Sequence, residues 1–246
     1  PQYWSENFEP YFLPLYRKAL EKLALTKDDA VLDAGCGSGM FSSLAIKTGA
    51  EVVGIDAASA LLEVARKRNP NNTFLEEDLE ALPFANDSFD VVAGFNSFQY
   101  AGSFENALRE AKRTLRPGGR LLIAIWDKPE LSDGTAILKA ISSLVPPPPP
   151  GTPGPFALSE DGKVETVLNN LGMHLDSKTS VGCQFIYSSL AEGVKSFMGT
   201  GPAANALNHT DRTTVENAIK GAMAPFHATD NFYFLVNHFL LFIARK

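Results

Sequence analysis

The sequence predicts an α/β protein built on a doubly wound sheet of seven strands, mostly parallel with an antiparallel edge strand, and carrying a helical cap. Between residues 30 and 126, short apolar runs alternate with helical patterns, and such alternation is typical of βαβ units with helices on both faces of a parallel sheet. A loop with three glycines, Gly35, Gly37 and Gly39, follows the first run. Ligands of open α/β sheets bind at this place, outside the carboxyl end of the first strand.

The elements of the predicted sheet follow one another in regular order. The strands are 30–35, 51–56, 72–78, 89–95 and 120–126, and the helices between them are 39–48, 59–68 and 103–115. The turn Pro117-Gly118-Gly119 supports the last crossover, because it stops the preceding helix and turns the chain into the fifth strand.

Beyond Trp126 the pattern is less regular. A Pro-rich connector over 145–158 can be neither helix nor central strand, and a plain spacer is favoured for it over a partner-binding segment. The segment 189–228 is too long for a simple loop between two strands, so we predict an inserted helical cap of two or three helices there. The other predicted elements are a helix over 133–144, a helix over 159–171 with Ser159 as N-cap, and two final strands, 181–188 and 231–244, that could pair as an antiparallel edge.

The composition argues against nucleic-acid and membrane partners. The formal net charge is −6 and the 22 Lys and Arg residues are scattered, so the basic stripe of a nucleic-acid-binding protein is missing. The longest apolar run is far short of the roughly 20 residues that span a bilayer. Two cysteines, Cys36 and Cys183, are too few for a disulfide framework or a zinc site. We therefore expect a cytoplasmic protein without a metal, and the oligomeric state stays open.

The glycine loop could suit two kinds of ligand. A dinucleotide loop has the spacing G-x-G-x-x-G/A, which would place Met40 where a small residue must pack the helix against the strand. The observed spacing is D-x-G-x-G-x-G from Asp33 to Gly39, and it resembles motif I of the class I S-adenosylmethionine-dependent methyltransferases. Asp56 ends the second strand, 21 residues after Gly35, where a carboxylate can accept both hydroxyls of a ribose in either kind of site.

A second stretch of sequence distinguishes the dinucleotide loop from the methyltransferase motif. Residues 74–92, FLEEDLEALPFANDSFDVV, contain Asp78 and Leu79 and look very like the corresponding stretch of the small-molecule methyltransferases of the ubiquinone-biosynthesis-like group. The run LRPGGRLLIAIW from Leu115 is similar to the family's turn into its fifth strand. The motifs lie in order over roughly residues 28 to 128, and the resemblance implies a Rossmann-like fold with S-adenosylmethionine as cofactor.

The resemblance also implies a role for single residues at the strand ends. Asp56 would bind the ribose, Asp78 would accept from the adenine amino group, and the Leu79 N–H would donate to the ring. Asn96 would approach the methionine portion. Asp33 either braces the loop or reaches the ligand through water, and both alternatives stay open. The complete implied set is Asp33, Gly35, Gly37, Asp56, Ala57, Asp78, Leu79 and Asn96.

The predicted substrate contacts come from several segments. In the family, residues after the fourth strand face the reacting centre, which implies Phe98 and Gln99. An aromatic N-terminal lid, 1–27, and the helical cap are expected to close a pocket for an apolar or aromatic molecule, or for a cation held by ring faces. Core packing is the alternative for each ring. The predicted contacts are Tyr3, Trp4, Tyr11, Phe98, Gln99 and Trp126.

The predicted function is methyl transfer from S-adenosylmethionine to a small-molecule acceptor by a single domain, 1–246, with its cofactor-binding core at 28–130. His209 is the candidate general base because imidazole titrates near neutral pH; a surface histidine is the alternative. Residues 96–99 lack the Asx-Pro-Pro-aromatic motif of amino-methylating nucleic-acid enzymes. A cyclase or another non-methylating enzyme that binds the same cofactor is the alternative function, and a ligand-binding regulatory protein is disfavoured.

Overall fold

The computed structural model describes residues 1–147, 154–228 and 231–246 of the chain. Its strands are β1 (Ala30–Ala34), β2 (Glu51–Asp56), β3 (Thr73–Glu76), β4 (Phe89–Phe95), β5 (Leu115–Trp126), β6 (His174–Tyr187) and β7 (Tyr233–Arg245). Its helices are α1 (Leu13–Leu23), α2 (Met40–Ile46), α3 (Ser59–Arg68), α4 (Phe104–Thr114), α5 (Gly134–Ser142), α6 (Lys163–Asn170), α7 (Leu190–Phe197), α8 (Gly201–Ala206) and α9 (Arg212–Met223). A π-helical turn (Trp4–Phe8) and a 3-10 turn (Glu9–Phe12) precede α1.

The strands form one sheet in the order β3-β2-β1-β4-β5-β7-β6. The pairs among β1 to β5 are parallel, and β7 runs antiparallel to β5 with Phe239 opposite Trp126. The predicted seven-stranded, mostly parallel sheet is thereby confirmed, with β7 placed between β5 and the edge strand β6. The strand order reverses between β1 and β4, so the glycine loop after β1 lies at the switch point of the sheet.

Two local predictions are wrong. β5 begins at Leu115, so the run Pro117–Gly119 lies inside the strand, where the pairing with β4 shifts in register. Ser159 is not an N-cap: its hydroxyl is buried and donates to the Trp126 carbonyl oxygen at 2.8 Å, and α6 starts only after Gly162. In both cases a contact with a distant strand replaces the local role that the sequence indicated.

The chain divides into two compact units. Unit 1 comprises Pro1–Pro14, Lys128–Gly154 and Gly182–His238, and unit 2 comprises Leu15–Asp127, Pro155–Val181 and Phe239–Lys246. The predicted lid at 1–27 is divided between the two units, and the predicted cap at 189–228 falls within unit 1. The single domain over 1–246 stays a prediction. Residues 148–153 of the predicted connector lie outside the described residues.

The core of unit 2 is aliphatic. Leu32, Val92 and Ile123 of the sheet are buried in one cluster with Leu108 of α4 and Leu168 of α6. This packing rigidly aligns the strand ends from which the predicted cofactor residues emerge. Nowhere in residues 1–147, 154–228 or 231–246 is a helix both long enough and apolar enough to cross a membrane.

The core of unit 1 is largely aromatic. Phe8 lies at the centre of what we call the aromatic cluster, with ring centroids of Trp4 at 5.0 Å and of Phe185 and Phe197 at 5.4 Å each. The cluster consists of Trp4, Phe8, Tyr11, Phe12, Phe185, Tyr187 and Phe197. Its geometry, with stacked and edge-on pairs, is the one that aromatic rings prefer.

Candidate functional site

The glycine loop has a backbone that few other residues could adopt. Gly35, Gly37 and Gly39 have φ values of +80°, +54° and +77°, which lie in the left-handed region that favours glycine. A Cβ atom on Gly35 would also lie 2.2 Å from the Cβ of Ser97. The Gly35 and Cys36 N–H groups both donate to the Ile55 carbonyl oxygen at 2.8 Å. The loop is therefore fixed against the end of β2.

Asp56, the last residue of β2, ties two loops together. Its Oδ2 accepts from the Gly37 N–H at 2.8 Å, and its Oδ1 accepts from the Ala58 N–H at 2.8 Å. Each carboxylate oxygen has capacity for a further donor. The Asp56 carboxylate is thus held beside the glycine loop, and its contact with a ribose stays a prediction. Ala57 lies between Asp56 and Ala58.

Asp33 lies in the interior of unit 2. It is 1% exposed, and its Oδ2 accepts from the Ser42 hydroxyl of α2 at 2.5 Å. A carboxylate this deeply buried requires hydrogen-bonding partners, and Ser42 fastens it to the helix that follows the loop. This contact corresponds to the bracing alternative for Asp33.

The adenine residues follow β3 on an ordered turn. Asp78 is exposed, and its Oδ1 accepts from the Glu80 N–H at 2.9 Å. Glu80 in turn accepts from the Ser103 N–H at 2.8 Å, just before α4. Leu79 packs against the buried core of unit 2. The turn holds Asp78 and Leu79 beside the carboxyl end of the sheet, and their adenine roles stay predictions.

Asn96 follows β4 in a left-handed conformation, with φ at +49°. Its N–H donates to the Ala124 carbonyl oxygen at 2.7 Å, and its Oδ1 accepts from the Gln99 amide at 3.2 Å. Gln99 Oε1 is buried and has no hydrogen-bond partner among the described residues. Desolvation of the Tyr100 hydroxyl raises the pKa of Tyr100, and hydrogen bonds with the Gln99 and Trp126 side chains offset part of this rise; 64% of the residue as a whole is exposed.

Two of the predicted substrate contacts are packing residues. Phe98 is 1% exposed and belongs to the core of unit 2, where a Cβ on Gly94 would lie 2.4 Å from its ring. The prediction that Phe98 touches the substrate is therefore corrected to core packing. Trp126 is 6% exposed and lies with its ring centroid 4.5 Å from that of Phe239 and 5.8 Å from that of Phe156.

The predicted aromatic contacts at the N-terminus have partners within unit 1. Trp4 is part of the aromatic cluster, and Tyr11 stacks on Phe185 at 4.9 Å. Tyr3 is 38% exposed, and the ammonium group of Lys195 lies 5.4 Å from its ring centroid. The packing alternative thus describes Trp4 and Tyr11, and substrate contact by Tyr3 stays a prediction.

His209 is placed unfavourably for a general base. It is exposed in the loop between α8 and α9, and its backbone N–H donates to the Ala206 carbonyl oxygen at 2.9 Å. Proton transfer needs a side chain held within hydrogen-bond reach of the reacting group, and among the described residues of unit 1 no side-chain hydrogen bond or ring contact fixes this imidazole. The surface alternative describes His209, so we withdraw the general-base prediction.

Several supporting residues were missed by sequence reasoning. The Ser97 hydroxyl donates to the Ala34 carbonyl oxygen at 2.6 Å, directly behind the glycine loop. Arg68 and Asn69, at the end of α3, contact Ser38 and Gly39. A serine after a strand and an arginine and asparagine at a helix end are common in any sequence, so no signal distinguished them. Over the part of the chain that the structure describes, no group of three or more His, Cys, Asp or Glu side chains is arranged for a metal ion.

Residues 32–123 match the family of methyltransferase domains. This segment runs from β1 into β5 and contains the glycine loop, Asp56, Asp78 and Asn96. The segment is thus similar to methyltransferase domains, as the resemblance to the class I S-adenosylmethionine-dependent enzymes implied. This similarity implies S-adenosylmethionine as the methyl donor.

Two curated relatives each align with nearly half of the chain. A malonyl-[acyl-carrier protein] O-methyltransferase of Erwinia pyrifoliae is 36% identical over 116 residues, 47% of this chain and 44% of the relative. A demethylmenaquinone methyltransferase of Renibacterium salmoninarum is 32% identical over 113 residues, 46% of this chain and 48% of the relative. The chain thus spans about half the length of these relatives.

Solved structures show the same fold over nearly the whole chain. A candidate methyltransferase of Bacillus halodurans C-125 has a TM-score of 0.61 at 18% identity, covering 94% of this chain and 98% of its own. The [4+2]-cyclase SpnF also has a TM-score of 0.61, at 19% identity, covering 94% of this chain and 79% of its own. At such identities the likeness establishes the fold alone, and the fold carries more than one chemistry.

Proposed function

We propose that this protein transfers a methyl group from S-adenosylmethionine to a small-molecule acceptor. The observation that carries the proposal is the Asp56 carboxylate, which is bonded to the N–H of Gly37 inside the segment that matches methyltransferase domains. A carboxylate fixed next to a glycine backbone presents an acceptor for hydroxyl groups beside a surface without side chains. That combination suits the ribose and methionine ends of the cofactor.

The residues present fit this cofactor. Asp56 would accept hydrogen bonds from the ribose, Asp78 would accept from the adenine amino group, and Asn96 would face the methionine portion. The bound cofactor supplies an activated methyl group on a positively charged sulfur. The chain itself has to orient the acceptor and exclude water, and Gln99 is the proposed contact to the acceptor.

The proposed acceptor is an apolar or aromatic small molecule. The relatives are named for a malonyl-[acyl-carrier protein] and for demethylmenaquinone, neither of which is a nucleic acid, and the net charge of −6 disfavours polyanionic partners. We also propose a cytoplasmic location on the basis of the low cysteine content, to be checked by fractionation of cells that express the protein. The cyclase alternative is not favoured, because the aligned curated relatives are methyltransferases.

Isothermal titration tests the cofactor assignment. We expect S-adenosylhomocysteine to bind and NAD to give no heat; binding of NAD alone would refute the proposal. Asp56→Ala and Asp78→Ala should each weaken S-adenosylhomocysteine binding by about 1.5 to 3 kcal/mol, because each removes hydrogen bonds to a charged group. Glu63→Ala, an exposed carboxylate on α3, is the charge-matched control and should leave the affinity unchanged.

Methyl-labelled S-adenosylmethionine distinguishes the two enzymatic alternatives. The chain is incubated with the labelled donor and a panel of hydroxylated, amino-substituted and quinone-like aromatic compounds. Label that appears in a product supports methyl transfer. A rearranged product without label, formed while the donor stays intact, would contradict methyl transfer and identify a cyclase.

A further inference from the structure

The last residues of α3 reach across to the glycine loop. Arg68 Nη1 donates to both the carbonyl oxygen and the hydroxyl of Ser38, at 3.0 Å each. The next residue, Asn69, donates from Nδ2 to the Gly39 carbonyl oxygen at 3.1 Å and accepts at Oδ1 from the Ser43 hydroxyl of α2 at 2.6 Å. Two consecutive side chains therefore hold two consecutive residues of the loop.

These contacts are buried and closely packed. Ser38 is fully buried and Asn69 is 7% exposed, so their hydrogen bonds are shielded from water. A Cβ on Gly39 would lie 2.9 Å from Asn69 Nδ2 and 3.0 Å from the Cβ of Ala65. The loop backbone and the end of α3 are thus in direct contact, and neither can shift without breaking bonds to the other.

The loop is held from both ends of the same helix. Asp56, which precedes α3, accepts from the Gly37 N–H. Arg68, the last residue of α3, and Asn69, the next residue, bind Ser38 and Gly39. A loop with glycines at alternate positions has unusually high conformational freedom when it is not held. Any order imposed before ligand binding lowers the entropy that binding itself must remove.

We propose that Arg68 and Asn69 are positioning residues of the cofactor site. They touch no ligand atom themselves; they fix Ser38 and Gly39, and through them the glycine loop, in the conformation that receives the cofactor. The inference rests on the proposed function, since it assumes that the loop binds S-adenosylmethionine. It assigns the end of α3 a role in cofactor affinity in addition to its place in the fold.

Binding of S-adenosylhomocysteine to purified variants of the chain tests the proposal. Arg68→Met and Asn69→Ala should each raise the Kd by about fivefold or more, the loss expected for one or two hydrogen bonds to the loop. Arg66→Met is the matched control: it removes the same charge from the same helix, but Arg66 donates to the Phe74 carbonyl oxygen at 2.8 Å. Its Kd should stay within about twofold of the parent value, the range of surface substitutions.

Hydrogen exchange provides a readout that a purely structural role would not change. In the unliganded Arg68→Met protein, the Gly37 and Gly39 amides should exchange faster, and S-adenosylhomocysteine should restore their protection. If the parent chain fails to bind the ligand, the proposed function itself fails. If the parent binds while Arg68→Met matches Arg66→Met in both Kd and exchange, the positioning role is wrong and the function stands. Because Arg68 is only partly buried, this variant decides the question even if Asn69→Ala does not fold.

Discussion

The glycine loop of unit 2 and the aromatic cluster of unit 1 are both closely packed, but they are specified in different ways. The loop is held by single hydrogen bonds between its backbone and the side chains of Asp56, Arg68 and Asn69, and its three glycines have positive φ values. The aromatic cluster is held by many ring contacts, none of which depends on one particular atom. A site built from backbone groups therefore requires a fixed spacing of residues in the sequence. A packed aromatic cluster requires only that enough aromatic residues are present.

The largest effect is expected from Phe8→Ala in the aromatic cluster. Phe8 is 2% exposed and contacts four other rings, so truncation should lower the free energy of unfolding by about 3 to 5 kcal/mol. Urea denaturation measures it. Phe8→Leu, which keeps most of the volume, should lose less than about 1.5 kcal/mol. Equal losses in the two variants would mean that ring geometry, and not filled volume, holds the cluster.

Gly35→Ala should have the next largest effect on stability, because it combines backbone strain with a steric overlap. A residue with a Cβ adopts the left-handed φ of Gly35 at a cost of about 1 to 2 kcal/mol. The overlap of the new Cβ with Ser97 adds about 1 to 3 kcal/mol. We expect a loss of stability of about 2 to 5 kcal/mol by denaturation, together with loss of S-adenosylhomocysteine binding. Adding Ser97→Gly should recover the overlap part, less the hydrogen bond that the Ser97 hydroxyl donates to Ala34.

A glycine in unit 1 provides the contrasting control. Gly221 lies within α9, and a Cβ there would meet nothing within 4 Å. Gly221→Ala should therefore raise stability by about 0.5 to 1 kcal/mol, the usual gain at a helical site. A similar loss at Gly35 and Gly221 would show that the loop glycine has no special requirement, and it would remove the contrast between the two regions.

The proposed cofactor site rests on sequence signals that are local, and the roles of its residues stay predictions. The spacing of Asp33, Gly35, Gly37 and Gly39 covers the end of β1 and the loop after it, and Asp56 ends a recognisable strand. The residues that support the site could not be predicted, because their partners are far away along the chain. Ser97 bonds to Ala34 across 63 positions, and Arg68 and Asn69 reach Ser38 and Gly39 across 30.

The aromatic residues show the other limit of prediction. A Phe or Tyr fits a packed core and a ligand pocket equally well, since both are apolar. Phe98 follows the strand whose end faces the site, yet its ring packs over Gly94. The N-cap prediction for Ser159 is wrong for a related reason. A serine before a helical pattern can cap the helix or bond to a strand, and Ser159 bonds to the Trp126 carbonyl oxygen.

A small effect at neutral pH is also expected from Tyr11→Phe, which tests whether any single atom matters in the aromatic cluster. The Tyr11 hydroxyl donates to the Ile186 carbonyl oxygen at 2.8 Å. Its removal should cost about 0.5 to 1.5 kcal/mol, the net value of one hydrogen bond. Urea denaturation near neutral pH measures this loss. A change indistinguishable from zero would support a cluster held by ring packing alone.

The same variant predicts a pH dependence with a definite direction. Burial, together with the nearby Glu192 carboxylate, raises the pKa of Tyr11 to about 12. In an unfolded chain the pKa of a tyrosine is about 10. Between these values the unfolded state has lost a proton that the folded state keeps, so the contribution of Tyr11 is complete below about pH 10 and is lost as the pH rises toward about 12. Burial also raises the pKa of Tyr187, so the variant should keep part of the alkaline slope. The advantage of the parent over Tyr11→Phe should therefore shrink across this range, and parallel curves would show that this phenol ionises alike in the folded and unfolded chains.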